Sequence, residues 1–203
     1  MSVLHNILPL FGQVLLLAVL ITLMLEQWIK EIRIRQGAIA LLVLLGMFVP
    51  VNGLTIAQWL RSVVGDLSVL TLVILLNILM QRLLGFSLLG ASSRKLLLFG
   101  IVIIGVVFYP LAMGVTAYDS YQLGYSPILL SVLVILGSLL LWFSSRRDLA
   151  VILLLPMVAY DLHLLESTNL WEYLLDPVLL AYALVQTLVS FKFLQNQRKE
   201  GAI

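Results

Sequence analysis

The sequence contains no cysteine and little charge. Of its 203 residues only 11% are Asp, Glu, Lys or Arg, against about 25% in ordinary soluble domains. Without cysteine there is no disulfide, no thiolate nucleophile, no Cys-ligated metal, no iron–sulfur cluster and no thiol to carry a lipid. Phosphate loops of the GxxxxGK type and GxSxG nucleophile turns are both missing. There are two histidines, His5 and His163, and they lack the i, i+4 spacing with an intervening Glu that a helical zinc site uses. No catalytic residue, metal site or cofactor is therefore assigned. The chain reads more as a non-enzyme than as an enzyme.

What the sequence does contain is apolar surface. It is 62% hydrophobic with a mean hydropathy of +1.12, more than a water-solvated core can absorb, so the expected solvent is partly lipid. Seven apolar stretches run approximately over 7–25, 38–51, 67–81, 96–116, 127–143, 149–163 and 177–194. The first, fourth, fifth and seventh suit a bilayer span of roughly 17–25 residues. The second, third and sixth are short, and can borrow flanking residues, tilt, or stop below the surface where neighbouring helices cover them. The expected fold is all-α: one polytopic helical domain over residues 1–203 with seven spans, six being the alternative count. The first stretch lacks a basic lead and a small-x-small cleavage site, and reads as a retained span.

Charge placement orients the expected bundle. Eleven of the 12 basic residues follow the first, third, fifth and seventh stretches, from Lys30, Arg33 and Arg35 to Lys192, Arg198 and Lys199; Arg61 alone falls opposite. Positive loops face the cytoplasm, which puts the N-terminus outside and the C-terminus inside, as an odd span count requires. The pI near 9 then reflects topology, and nucleic acid is not an expected partner. Asp66, Asp119, Asp161, Glu166, Glu172 and Asp176 gather on the outer side. A bacterial-type inner membrane is the expected location.

Between the second and third stretches, Asn52-Gly53 signals a turn. Ile56, Trp59, Leu60 and Val63 follow at i, i+3, i+4 and i+7. That spacing predicts a short amphipathic helix over about 54–64, lying in the outer interface with Trp59 at headgroup level and Arg61 on its polar side.

Candidate site residues cluster in two outer segments, AYDSYQLGYSP at 117–127 and AYDLHLLESTNLWEYLLDP at 159–177. Asn169 with Glu172 has capping-box spacing, and Asp176-Pro177 reads as the start of another helix, so Glu172 and Asp176 have structural explanations. The residues left for binding a ligand or partner are Asp66, Tyr118, Asp119, Tyr121, Tyr160, Asp161, His163, Glu166 and Trp171, with Trp59 and Arg61 at the interface. His163 and Glu166, three apart, would share a helix face. Deeper amides, Gln13, Asn77, Gln81 and Gln186, read as helix glue. Gly100, Gly105, Gly114, Gly137 and Ser138 read as sites of close helix approach.

These residues point first to an accessory membrane subunit that meets a larger membrane or periplasmic partner through an acidic, aromatic outer rim. The alternative is a carrier or solute-binding component with an outward pocket. An intramembrane enzyme acting on lipid-linked material, with His163 or an Asp as acid or base, stands third.

Overall fold

The structure, a computed structural model, describes the backbone of residues 4–200 and the side chains of residues 9–192. The described residues form ten helices and one two-stranded ribbon. In order these are α1 (Leu4–Glu26), α2 (Ile32–Phe48), β1 (Pro50–Val51), β2 (Leu54–Thr55), α3 (Ile56–Val64), α4 (Val69–Leu84), α5 (Ala91–Ala112), α6 (Gln122–Tyr125), α7 (Ile128–Phe143), α8 (Arg147–Asp161), α9 (Leu170–Leu174) and α10 (Pro177–Glu200). The architecture is all-helical, and each of the seven apolar stretches falls mostly within one helix. By length and composition, Pro9–Glu26 of α1 and Ala91–Ala112 could cross a membrane, while α4, α7 and the apolar part of α10 are shorter.

Local chemistry sets the element ends. The predicted Asn52-Gly53 turn closes the β1–β2 ribbon, both residues having positive φ (53° and 85°), as a two-residue hairpin loop demands. Thr55 and Gln58 then form a reciprocal capping box that starts α3. On α3, Ala57 turns inward while Ile56, Trp59 and Val63 face away from the bundle at 43%, 45% and 82% exposure. Trp59 Nε1 donates to the Val51 carbonyl at 3.1 Å. Helix α4 begins on the Ser68 side chain and ends at Gly85, whose left-handed φ of 69° fits a glycine stop. Gly90 has no side chain with which to start α5. Asp148 of α8 supplies the cap instead, accepting from the Gly90 N–H and from the Ser93 hydroxyl at 3.0 Å.

Helix α4 joins the two parts of the core, with buried residues in both. Helix α8 pairs with α7, touches α4 and α5 and carries α9; α5 lies against α10, and α1 gathers α2, α3 and α4. One apolar cluster fills the space among α4, α5, α7, α8, α9 and α10, and a smaller one lies between α1 and α4. Among the described residues, exposed large apolar side chains outnumber buried ones, and they run along α2, α5 and α7.

Polar contacts collect at the two ends of this bundle. At the basic end Arg35 and Arg82 both pair with Glu26, Gln36 donates to the Leu83 carbonyl, and Arg94 bonds Gln81. Just below it, the Asn77 Oδ1 accepts from the Ser87 hydroxyl and from the Leu88 and Leu89 N–H groups, holding the α4–α5 loop. The acidic end holds Arg61, Asp66, Glu166, Glu172 and Asp176.

Several expectations are corrected. Helix α8 stops at Asp161, so His163 and Glu166 lie in the following loop and share no helix face. Among the glycines, Gly105 does permit close approach: a Cβ there would meet Leu180 Cδ1 of α10 at 2.6 Å. Gly100 does not, since a Cβ would meet nothing within 4 Å, and Gly114 is a turn residue with φ 82° beyond the end of α5. The side chain of His5 lies outside the described residues.

Candidate functional site

Short helices make room for the site. At about 1.5 Å per residue, α4, α7 and α8, of 16, 16 and 15 residues, extend roughly 22–24 Å. The space above them is occupied by α6 and α9. Helix α9 starts on Asn169, whose Oδ1 accepts from the Trp171 N–H at 2.9 Å, while its Nδ2 donates to the Tyr121 carbonyl at 3.1 Å. The expected capping box is not closed, because Glu172 turns away from Asn169 and accepts from the Tyr121 hydroxyl. Gly124 of α6 is required here: a Cβ would fall 1.7 Å from Asn169 Oδ1. Trp171 Nε1 donates to the Ser120 carbonyl at 3.1 Å. Fully buried Tyr173 holds the 165–167 loop, its hydroxyl accepting from the Leu165 N–H and facing the Leu165 and Ser167 carbonyls.

Asp176 ties two helix starts together. Its Oδ1 accepts from the Leu179 N–H at 2.8 Å, the expected N-cap of α10. Its Oδ2 accepts from the Ser68 N–H at 2.8 Å and from the Thr71 hydroxyl, so the start of α4 is held as well. On the other flank Arg61 donates to both oxygens of Asp66, at 2.7 and 3.2 Å, and to Glu166 at 3.1 Å. That fork fastens α3 to the loop before α9. These bonds hold the Arg61 guanidinium even more firmly protonated, Asp66 contributing most, while burial works the other way and Glu166 assists.

Between these supports lies a cavity of about 610 Å³. Asp66, Glu166, Glu172 and Asp176 supply its acidic wall. Phe108, Tyr109, Tyr121, Tyr125 and Trp171 supply an aromatic wall. Phe108 stacks obliquely on Trp171 with centroids 4.4 Å apart, and Tyr121 meets Tyr125 edge-on at 5.6 Å. Burial pushes the Tyr121 phenol up, and its bond to Glu172 adds to that. It is therefore a neutral donor at physiological pH and is unsuited to act as a base. Set against four carboxylates, Arg61 is the only cation they bond among the described residues. A focused negative potential in an aromatic-walled recess suits a cation.

The sequence-predicted residues divide. Asp66, Tyr121, Glu166 and Trp171 come together around the cavity, with Arg61 behind its acidic wall. Tyr118, Asp119, Tyr160, Asp161 and His163 do not line it. Tyr118 and Asp119 are exposed, and Asp119 caps its own turn by accepting from the Tyr121 N–H at 2.9 Å. Tyr160 packs edge-on against Tyr173 and bonds the Thr168 carbonyl. His163, exposed and at φ 52°, lies 3.0 Å from the Asp161 carbonyl and bonds no carboxylate. Trp59 lies on the outward face of α3. Among the described residues no three His, Asp or Glu side chains gather as a metal-binding group. Sequence reasoning passed over Glu172 and Asp176 because their helix-start patterns explained them; both also face the cavity. Phe108 and Tyr109, at the end of an apolar helix, carried no signal of their own, and Tyr125 was passed over although it lies in the 117–127 segment.

Comparison with protein-family models, with curated proteins and with solved structures finds no match.

Proposed function

We propose that this protein is a solute-binding or carrier component of a membrane, with its ligand site at the outer, acidic end. The observation that carries this reading is the 610 Å³ cavity lined by four carboxylates and five aromatic rings. Its size and its mixed lining are those of small-molecule sites, where apolar walls surround a few convergent polar groups. On this reading the helices of all seven apolar stretches cross the bilayer, the short α4, α7 and α8 being completed by the loops and short helices above them, with the N-terminus outside and the C-terminus in the cytoplasm of a bacterial-type cell. Two features support this: the apolar surface along α2, α5 and α7, and the basic residues gathered at the opposite end. Loops and short helices at membrane depth are tolerated where protein covers them, and the buried faces of α9 meet that condition. Purified protein in mild detergent should be stabilised against heat by small organic cations such as ethanolamine or choline, and not by carboxylic acids of similar size. An equal response to both, or to neither, sinks the cation-site reading.

A second reading rests on the rim outside the cavity. Tyr118, Asp119, Asp161 and His163 stay exposed beside it, which favours an accessory subunit contacting a membrane or periplasmic protein. Replacing Tyr118, Asp119, Tyr160 and Asp161 together with Ala should release such a partner during co-purification. Unchanged association would remove the rim as the contact surface.

A further inference from the structure

A second cavity adjoins the first. It is apolar, about 480 Å³, and lies between α5 and α7. Trp171 and Leu175 line both spaces, so the two meet at α9. The cleft exists because α5 packs on α10 and α8, and α7 packs on α8, leaving the α5–α7 seam unfilled. Its α7 wall runs from Leu130 to Leu141, about 16 Å at 1.5 Å per residue. Two glycines open it. Gly100 and Gly137 both line the cleft, a Cβ at Gly100 would meet nothing within 4 Å, and one at Gly137 would meet only Leu153, at 3.6 Å. Leu96 and Ile104 of α5 and Leu133 of α7 are 43%, 49% and 55% exposed along its mouth, so it faces outward from the bundle.

We infer that the ligand is a lipid bearing an amine headgroup, its ammonium in the acidic, aromatic cavity and its acyl chain in the α5–α7 cleft. This rests on the reading of the outer cavity as a cation site and adds the tail. A free cationic solute would use the first cavity and leave the second without purpose. An acyl chain alone would use the second and leave four carboxylates above it, with Arg61 as the single cation they bond among the described residues. Only a molecule with a cation at one end and a hydrocarbon at the other matches both spaces in the order in which they meet. Trp171, fixed to Ser120, stands at the junction, with the cleft on one side and its aromatic cluster with Phe108 on the other. Anionic headgroups are disfavoured by the same acidic wall.

The test uses the full-length protein in mild detergent, probed with dioleoylphosphatidylethanolamine, dioleoylphosphatidylglycerol and free ethanolamine. Lipid retention is read by native mass spectrometry and stability by thermal midpoint. Retention of the ethanolamine lipid over the glycerol lipid by about tenfold is expected. Gly100→Leu fills the cleft; it should abolish retention of that lipid, keep the thermal midpoint and keep the response to ethanolamine. Gly137→Leu is the second cleft variant, in case the first does not fold. Glu172→Gln should narrow the preference between headgroups while lipid is still bound. Equal retention of both lipids by the wild-type protein overturns the amine assignment. Stabilisation by ethanolamine with lipid retention indifferent to both glycine variants overturns the tail assignment and leaves the solute site standing. If neither ethanolamine nor either lipid binds, both readings fall together.

Discussion

The two ends of the bundle handle charge in opposite ways. At the basic end Glu26 lies between Arg35 and Arg82, Asp148 closes the start of α5, Arg94 bonds Gln81 and Arg147 lies over the Trp142 ring. At the acidic end Arg61 is the single cation among the described residues, and it is shared by Asp66 and Glu166. Glu172 and Asp176 are met there by neutral donors, Tyr121, Ser68 and Thr71. The spaces differ too. The basic end has a pocket of about 180 Å³ between α5 and α10, while the acidic end has one of about 610 Å³. Glu26, paired with two cations, leaves no negative charge for a ligand to meet. Charge left uncompensated around a void is what a ligand can answer.

The sharpest way to break this comparison is to remove one carboxylate from each end. Asp176→Ala strips three hydrogen bonds and leaves buried donors at the starts of α4 and α10, so it should cost about 3 kcal/mol. Asp148→Ala removes a half-exposed cap and should cost about 1 kcal/mol. Equal losses, read from denaturation in detergent, would show that the two ends are built alike. Gly124→Ala comes next: its Cβ collides with Asn169, and the overpacked corner should lose about 2 kcal/mol, whereas Gly100→Ala should be neutral or slightly stabilising. A tolerated Gly124→Ala would mean that α6 is not seated on α9. Arg61→Met should cost about 1 kcal/mol, the upper end for pairs that solvent still reaches, because the Arg61–Asp66 pair is half-buried; proteolysis in the α3 loops should rise as α3 is released. Unchanged cleavage would count against the Arg61 fork as the fastener.

The smallest effect is with pH. Burial pushes the Asp148 carboxyl up, but the Ser93 hydroxyl and the N–H groups of Leu149 and Gly90 outweigh it and hold the group below its ordinary value. A lowered folded value means that its contribution is complete above the ordinary carboxylate pKa of about 4 and is lost as pH falls through the folded value. The wild-type thermal midpoint should therefore fall more steeply below about pH 4 than that of Asp148→Asn. Parallel curves would show that the cap does not titrate with folding.

The all-helical class was legible because apolar runs and their breaks are local. So were the Asn52-Gly53 turn, the α3 stripe, and the helix starts at Asn169 and Asp176. The site was half legible. Asp66, Tyr121, Glu166 and Trp171 were picked out as ionisable or aromatic residues near predicted helix ends, and they do converge. Tyr118, Asp119, Tyr160, Asp161 and His163 had the same composition and the same depth. What separates the two groups is the course of the loops before α6 and α9, and that depends on how Asn169 and Trp171 hold the Ser120 and Tyr121 carbonyls.

Composition, the spacing of apolar runs and the one-sided placement of Lys and Arg thus determined by themselves a helical chain with a basic and an acidic end, since these properties are set residue by residue along the chain. Only the tertiary structure decided that the α5–α7 seam stays open, that Gly100 faces that opening while Gly105 faces Leu180, and that Glu172 and Asp176 border the cavity as well as serving their helices. Each of these depends on how helices pair, and pairing is settled by packing between segments far apart in sequence.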